Sequence, residues 1–253
     1  MREIIDEVTR SGARFAAALD QLSDAQVREP AALPGWTRAN VIAHVGCAAD
    51  AYLWLLAVAR TGVEPGPRPS ADALARAVED GAARPAAELV AGLRARLGRL
   101  LEDAESMPED RWDTLVTALA GWRHPAWYTL HRCWRELETH HLDLDLGYRT
   151  SDWPARYVSW ALDDTLAALA AREFPVGRVE AVDLGRSWTV SATGPDLTGE
   201  GHALLGWLSG RTPAAQLTAA QLTVTQLITA QPAEARPLPG PPTWPLPPAP
   251  GWH

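Results

Sequence analysis

Over the first 150 residues the apolar positions recur at helical spacing, and polar or Pro/Gly-rich connections separate the runs. Ile4, Ile5, Val8, Phe15, Ala18, Leu19 and Leu22 form one stripe, which predicts a long amphipathic helix that Ser23-Asp24 ends or re-caps. After REPAALPGW, Thr37 can cap a second helix, whose inward stripe is Val41, His44, Val45, Ala48, Tyr52, Leu55 and Leu56 and which closes near Thr61-Gly62. The Pro/Gly segment GVEPGPRPS leads into helical stretches from Ala71 to Glu105, interrupted near Arg84-Pro85 because proline lacks the donor a helix interior needs. Another long helix is predicted from Pro125 to Leu146, with Gly147 as its C-cap. These elements make an antiparallel bundle of four or more helices.

Beyond residue 150 the pattern changes. A helix from Pro154 to Arg172 precedes two alternating segments, Arg178–Leu184 and Ser187–Ala192, which read as a β-hairpin turning at Gly185-Arg186. Ala203–Ser209 reads as a helix ended by Gly210, and Leu222–Leu227 as a strand. Gln-Leu-Thr recurs at Gln216 and Gln221, with Gln226-Leu227 five residues further on, a period that matches neither helix nor strand. Nine of the 21 prolines fall in the last 22 residues, which excludes regular helix or central strand there. The expected organisation is a mostly α chain: a helical bundle at 1–150, a small α/β domain at 151–235 and a proline-rich tail at 236–253.

Composition narrows the function classes. At 253 residues the chain has room for one large or two modest domains, and an apolar share of 47% is that of a soluble globular protein. The longest apolar run, Ala51–Ala59, is nine residues, against the roughly 20 a membrane helix needs. MREIIDEVTR carries charges of both signs and no apolar core, so no secretory signal is expected, and the chain reads as cytoplasmic. The net charge is −8, and the 23 basic residues, all Arg, form no run that would neutralise phosphates, which argues against nucleic acid. Absence of Lys with abundant Ala and Pro matches the residue usage of a GC-rich actinobacterial genome. Cys47 and Cys133 are expected to be free thiols in such a setting. A chain of this size can bury its own core, and a monomer is expected.

The chemistry-bearing residues cluster in RELETHH, where Glu136 and His140 stand four apart and share one side of a helix. Leu130, Trp134, Leu137 and Leu144 centre the core face, while Thr129, Cys133, Glu136, His140 and Asp143 line the flank beside it. Inward-projecting Glu and His on such flanks build metal sites in helical bundles. His44, among apolar neighbours on the second helix, is a third candidate, because an unpaired buried imidazole is costly. Two His and one carboxylate form the donor set of a catalytic zinc with an open fourth position. The same spacing also fits an ordinary i,i+4 hydrogen bond beside a core histidine. Cys47 and Cys133 could approach the same point, although a buried Cys is usually a small hydrophobe. Asp143 could orient His140, His141 faces the core side, Trp36 and Trp134 are expected to pack the bundle, and Trp207 the second domain.

LPGWTRANVIAHV (Leu33–Val45) and RELETHHLDLDLGY (Arg135–Tyr148) resemble the amino-terminal domain of the mycothiol-dependent maleylpyruvate isomerase family, a branch of the DinB-like four-helix bundles. WTVSATGP (Trp188–Pro195), ALLGWLSGR (Ala203–Arg211) and the closing LPPAPGW are similar to that family's smaller carboxy-terminal α/β domain and its end, in the family's order. The resemblance implies His44, Glu136 and His140 as ligands of Zn²⁺ or another divalent metal. It implies Arg211 as a residue needed for activity, suited to a bidentate pair with a substrate carboxylate; Arg211 also fits a helix C-terminus as a simple cap. The implied chemistry is mycothiol-dependent: a thiolate adds to the cis double bond of maleylpyruvate or a related unsaturated acid, the new single bond rotates, and elimination follows. A mycothiol S-transferase acting on an electrophile, or a non-catalytic metal-binding module, would use the same fold. The Gln-Leu-Thr stretch after Arg211 departs from the family pattern.

Overall fold

The computed structural model describes residues 1–213, 222–225 (backbone only) and 239–249. The chain divides into two compact units, Met1–Tyr148 and Arg149–Gly251. The first is helical, with α1 (Arg2–Ala18), α2 (Asp24–Val27), α3 (Arg38–Thr61), α4 (Ala71–Ala82), α5 (Ala86–Glu105), a short hairpin of β1 (Leu115–Thr117) and β2 (Arg123–Pro125), and α6 (Ala126–Asp143). The second holds α7 (Ala155–Ala170), β3 (Arg178–Ala181), β4 (Arg186–Thr189), β5 (Asp196–Gly199), α8 (Gly201–Leu208) and β6 (Leu222–Thr225).

In the first unit α1 and α3 each pack against both α5 and α6, and α4 lies on α3. Helix α3 takes the central position because its apolar residues do not form a single stripe: Val41, Ile42, Val45, Ala49, Leu55, Leu56 and Ala59 are all buried. Among the described residues α3 alone is long and apolar enough to cross a membrane, and half of its apolar window is buried within the bundle. Thr37 caps it as predicted, its side chain and that of Asn40 exchanging hydrogen bonds with each other's backbone N–H, and Gly62 ends it with φ +74°, a conformation that costs a residue with a Cβ. Ser23 re-caps the chain as expected, opening the four-residue α2, while α1 itself ends at Ala18, short of the expected Leu22. From α2, Asp24 accepts the Ala86 N–H at 2.6 Å and the Arg28 guanidinium donates to the carbonyls of Ala82, Ala83 and Arg84, so α2 holds the corner between α4 and α5.

Helix α6 stops at Asp143, short of the expected Leu146. Asp145 takes the left-handed turn at φ +53°, and Gly147, expected as the C-cap, turns the following loop at φ +92°. Asp tolerates that conformation better than most residues with a Cβ, which lets the left-handed turn fall two residues before the glycine. A buried network then pins α1 to α6: Glu138 accepts from Ser11, from Arg14 at 2.6 Å and from Tyr148 at 2.6 Å, while the Trp134 indole N–H donates to Ser11 at 3.0 Å. The hairpin of β1 and β2 was not expected from the sequence; its strands pair antiparallel with Val116 opposite His124.

In the second unit the sheet order is β4-β3-β5-β6. The predicted hairpin is present as β3 and β4, closed at Ala181 opposite Arg186, while β5, not anticipated, lies parallel to β3. Strand β6 falls within the expected Leu222–Leu227; the rest of that segment and most of the Gln-Leu-Thr stretch lie outside the described residues. The core is built from Leu162, Leu166, Val179, Leu197, Leu204 and Trp207. Gly210 ends α8 at φ +70°, as expected.

Candidate metal centre

Two local features bring the ends of α3 and α6 together. Arg38, in the first turn of α3, donates from Nε to the Leu144 carbonyl at 2.9 Å, and Ala32 N–H donates to the Asp143 carbonyl at 2.9 Å. The second bond ties the LPGW loop to the end of α6 and sets the Trp36 ring edge-on to the His44 ring, with centroids 5.4 Å apart. Trp36 therefore sits half-exposed beside His44 rather than in the bundle core; Trp134 does pack the core.

On this frame His44 from α3 meets Glu136 and His140 from α6. The Nε2 atoms of His44 and His140 lie 3.3 and 3.1 Å from the same Glu136 oxygen, Oε2, and one donor atom from each of the three residues falls within 4.8 Å of the others. Ligand atoms around a tetrahedral ion bonded at about 2.1 Å stand about 3.4 Å apart, so the spacing and the 2-His-1-carboxylate chemistry fit a divalent metal. His140 Nδ1 donates to the buried Asp143 carboxylate at 2.9 Å, which leaves Nε2 as the nitrogen aimed at the cluster. Tyr52 donates its hydroxyl to Glu136 Oε1 at 3.2 Å.

The electrostatics agree with this geometry. Burial pushes the Glu136 carboxyl up, but hydrogen bonds from His140 and His44 and their charge outweigh it and hold the group well below the usual carboxylate range. Burial pulls His140 down, but its bonds to Asp143 and Glu136 and their negative charge outweigh it and raise the imidazole to about 9. A cation placed here would take over the stabilising part of that proton. Burial, joined by the Glu136 charge, keeps Tyr52 well above the usual phenol value, so it remains a donor.

His44 and Glu136 of the cluster line a cleft of about 350 Å³ together with Trp36, Cys47, Tyr52 and Arg132 and with Leu74 and Val78 of α4. A second cavity of about 410 Å³ adjoins it, sharing Cys47, Tyr52 and Arg132 and continuing to Trp54, Leu55 and Pro69.

A model of the mycothiol maleylpyruvate isomerase N-terminal domain matches residues 8–145, which include the whole cluster. The chain belongs to that family. Two solved structures share its architecture across 96% of this chain and 96% of theirs: the mycothiol-dependent maleylpyruvate isomerase (TM-score 0.78, 21% identity) and a histidine-to-alanine mutant of it (TM-score 0.81, 20% identity). At that identity the likeness is one of fold, and it runs beyond the family's amino-terminal domain into the second unit. No curated protein sequence matches the chain.

Within the family's domain, then, the structure brings together His44, Glu136 and His140, with Asp143 behind His140 as the spacing allowed. Cys47 and Cys133 are not among the clustered donors, and both thiols are raised by burial, the opposite of what a reactive thiol needs. His141 is buried and stacks on Tyr148, with centroids 3.9 Å apart. Arg211 belongs to the second unit, where it follows α8 and donates from Nη1 to the Ser209 carbonyl at 2.8 Å. Arg132, Trp122 and His124 were not singled out from the sequence; Arg132 stands one turn before Glu136 on the same flank, and that i,i+4 relation was the available signal.

Proposed function

We propose that this chain is a metal-dependent, mycothiol-using enzyme that catalyses cis–trans isomerisation of maleylpyruvate or a related unsaturated acid. The observation that carries the reading is the convergence of the His44, Glu136 and His140 donor atoms, with His44 and Glu136 lining a largely apolar cleft, inside the domain that defines the family. A divalent ion held there, for which Zn²⁺ suits the donor set, would leave a position open and favour the thiolate form of a thiol bound at it. The reaction adds a thiol across the cis double bond, allows rotation about the resulting single bond, and expels the thiol again, so no atom is gained or lost overall.

The residues of the chain have separable tasks in this scheme. Asp143 fixes the His140 ring and its tautomer, and Tyr52 holds the Glu136 oxygen that does not face the imidazoles. Leu74, Val78 and Ala48 keep the cleft poor in water, which strengthens charge interactions inside it. Arg211 is assigned to a substrate carboxylate, the task the family resemblance gives it.

The test combines metal analysis with a maleylpyruvate absorbance assay, with and without mycothiol. About one metal ion per chain, lost in His140→Ala, together with mycothiol-dependent isomerisation, is the expected result, and Arg211→Ala should raise KM at unchanged metal content. Metal without isomerisation would move the reading to a mycothiol S-transferase, and a wild type without metal would end it.

A further inference from the structure

Arg132 differs from most arginines of this bundle in its surroundings. Arg14, Arg38, Arg60, Arg94 and Arg96 each meet a carboxylate. Among the described residues none lies within ion-pairing distance of Arg132. Its guanidinium is instead clasped between aromatic faces, 4.6 Å from the Trp122 ring centroid and 5.0 Å from that of Tyr52. Its hydrogen bond runs from Nη1 to His124 Nε2 at 3.4 Å.

That partner is itself fixed. His124 is fully buried on β2, and its Nδ1–H donates to the Pro125 carbonyl at 2.8 Å, which leaves Nε2 as an acceptor. A neutral acceptor and two ring faces orient a guanidinium without neutralising it. Arg132 lines both cavities of the cleft, on the same helix as Glu136 and one turn before it. A cation aimed into a mostly apolar cavity favours an anion there, and its planar fork matches a carboxylate.

We infer that Arg132 is a carboxylate-binding residue of the cleft, holding one end of a short unsaturated diacid within reach of the His44–Glu136–His140 cluster, with Trp122, Tyr52 and His124 as the residues that position its guanidinium. The choice of ligand rests on the isomerase reading above: maleylpyruvate carries a carboxylate at each end, so a site for it can use two separate cations. His124 acts only through Arg132.

The experiment measures binding of maleate, a small unsaturated dicarboxylate, by calorimetry to the metal-loaded full chain, to Arg132→Gln and to Arg132→Lys, and compares KM and kcat with maleylpyruvate. Loss of a charge-assisted pair predicts about 10- to 100-fold weaker maleate binding in Arg132→Gln, a KM raised by a similar factor, and intermediate values in Arg132→Lys. Metal content and melting temperature should stay at wild-type values, which a merely structural role would not allow. His124→Gln, which keeps the charge but changes its support, should shift maleate affinity less than Arg132→Gln. If Arg132→Gln does not fold, Arg132→Lys decides, since wild-type affinity and KM in it would overturn the proposal. Wild-type protein that does not bind maleate, or Arg132→Gln that binds it as well as wild type, would also overturn it. Maleate binding through Arg132 in a protein without isomerase activity would keep the site and overturn only the isomerase reading.

Discussion

Neighbours in the chain, His140 and His141 have different surroundings because α6 turns by about 100° per residue. His141 points to the core, stacked on Tyr148 and edge-on to Phe15, whereas His140 faces the flank and meets two carboxylates. Of those carboxylates, Asp143 is the buried one, and it holds Nδ1–H while Glu136 lies at Nε2. Replacing it by Asn keeps the volume but removes the charge that orients and strengthens the imidazole. In Asp143→Asn we therefore expect metal affinity to fall about 10- to 100-fold with the ligand set intact. Competition titration with a chromophoric chelator reads this directly; unchanged affinity, in a protein that loses metal on His140→Ala, would remove Asp143 from any tuning role. Helical spacing brings Glu136 and His140 to one side but fits an ordinary i,i+4 bond equally well, and it was the family resemblance that set them apart with His44 as ligands. His44 could be found because an imidazole in an apolar stripe needs a partner.

Elements carried less of their own signal where they are short. The hairpin of β1 and β2 has three residues per strand, too few for alternation to register, and its pairing depends on contacts with the helices around it. That is why Arg132 gave no indication of its surroundings: Trp122 and His124 come to it only through this hairpin. The end of α6 was misplaced for a related reason, since the left-handed turn fell on Asp145 instead of the glycine nearby. The long helices, with clear caps at Thr37 and Ser70 and a proline break before α5, lay close to their predicted limits. The hairpin also makes stability depend on pH. Burial lowers His124 from 6.5 to about 4, so between these values the unfolded chain takes up a proton that the native chain refuses. Stability from this residue is therefore full above about pH 6.5 and is lost as pH falls toward 4, by on the order of 3 kcal/mol. Urea melts across that range should show a shallower loss for His124→Gln than for wild type; parallel slopes would count against the assignment.

At the scale of the whole molecule, the complete candidate cluster, Asp143 and the cleft belong to the first of two compact units. A fragment ending at Tyr148 is therefore expected to fold cooperatively and to retain about one metal ion per chain, as checked by circular dichroism and elemental analysis; a fragment that folds without metal would tie the site to the rest of the chain. Within this unit burial is uneven. α3, α5 and α6 are each buried along their length, but α4, which supplies Leu74 and Val78 to the cleft, has one buried residue, Ala82, at the end where Arg28 of α2 grips it. The cleft thus has a floor continuous with the bundle's core and a thinner wall on α4, which rests on α3 and is tied at both ends, by Arg28 at Ala82 and by Arg68, just before the helix, at the carbonyls of Thr117 and Ala118. With so little of its surface buried, that wall is expected to open locally at far less cost than unfolding the floor, so the α4 amides should exchange with solvent ahead of those of α3 and α6.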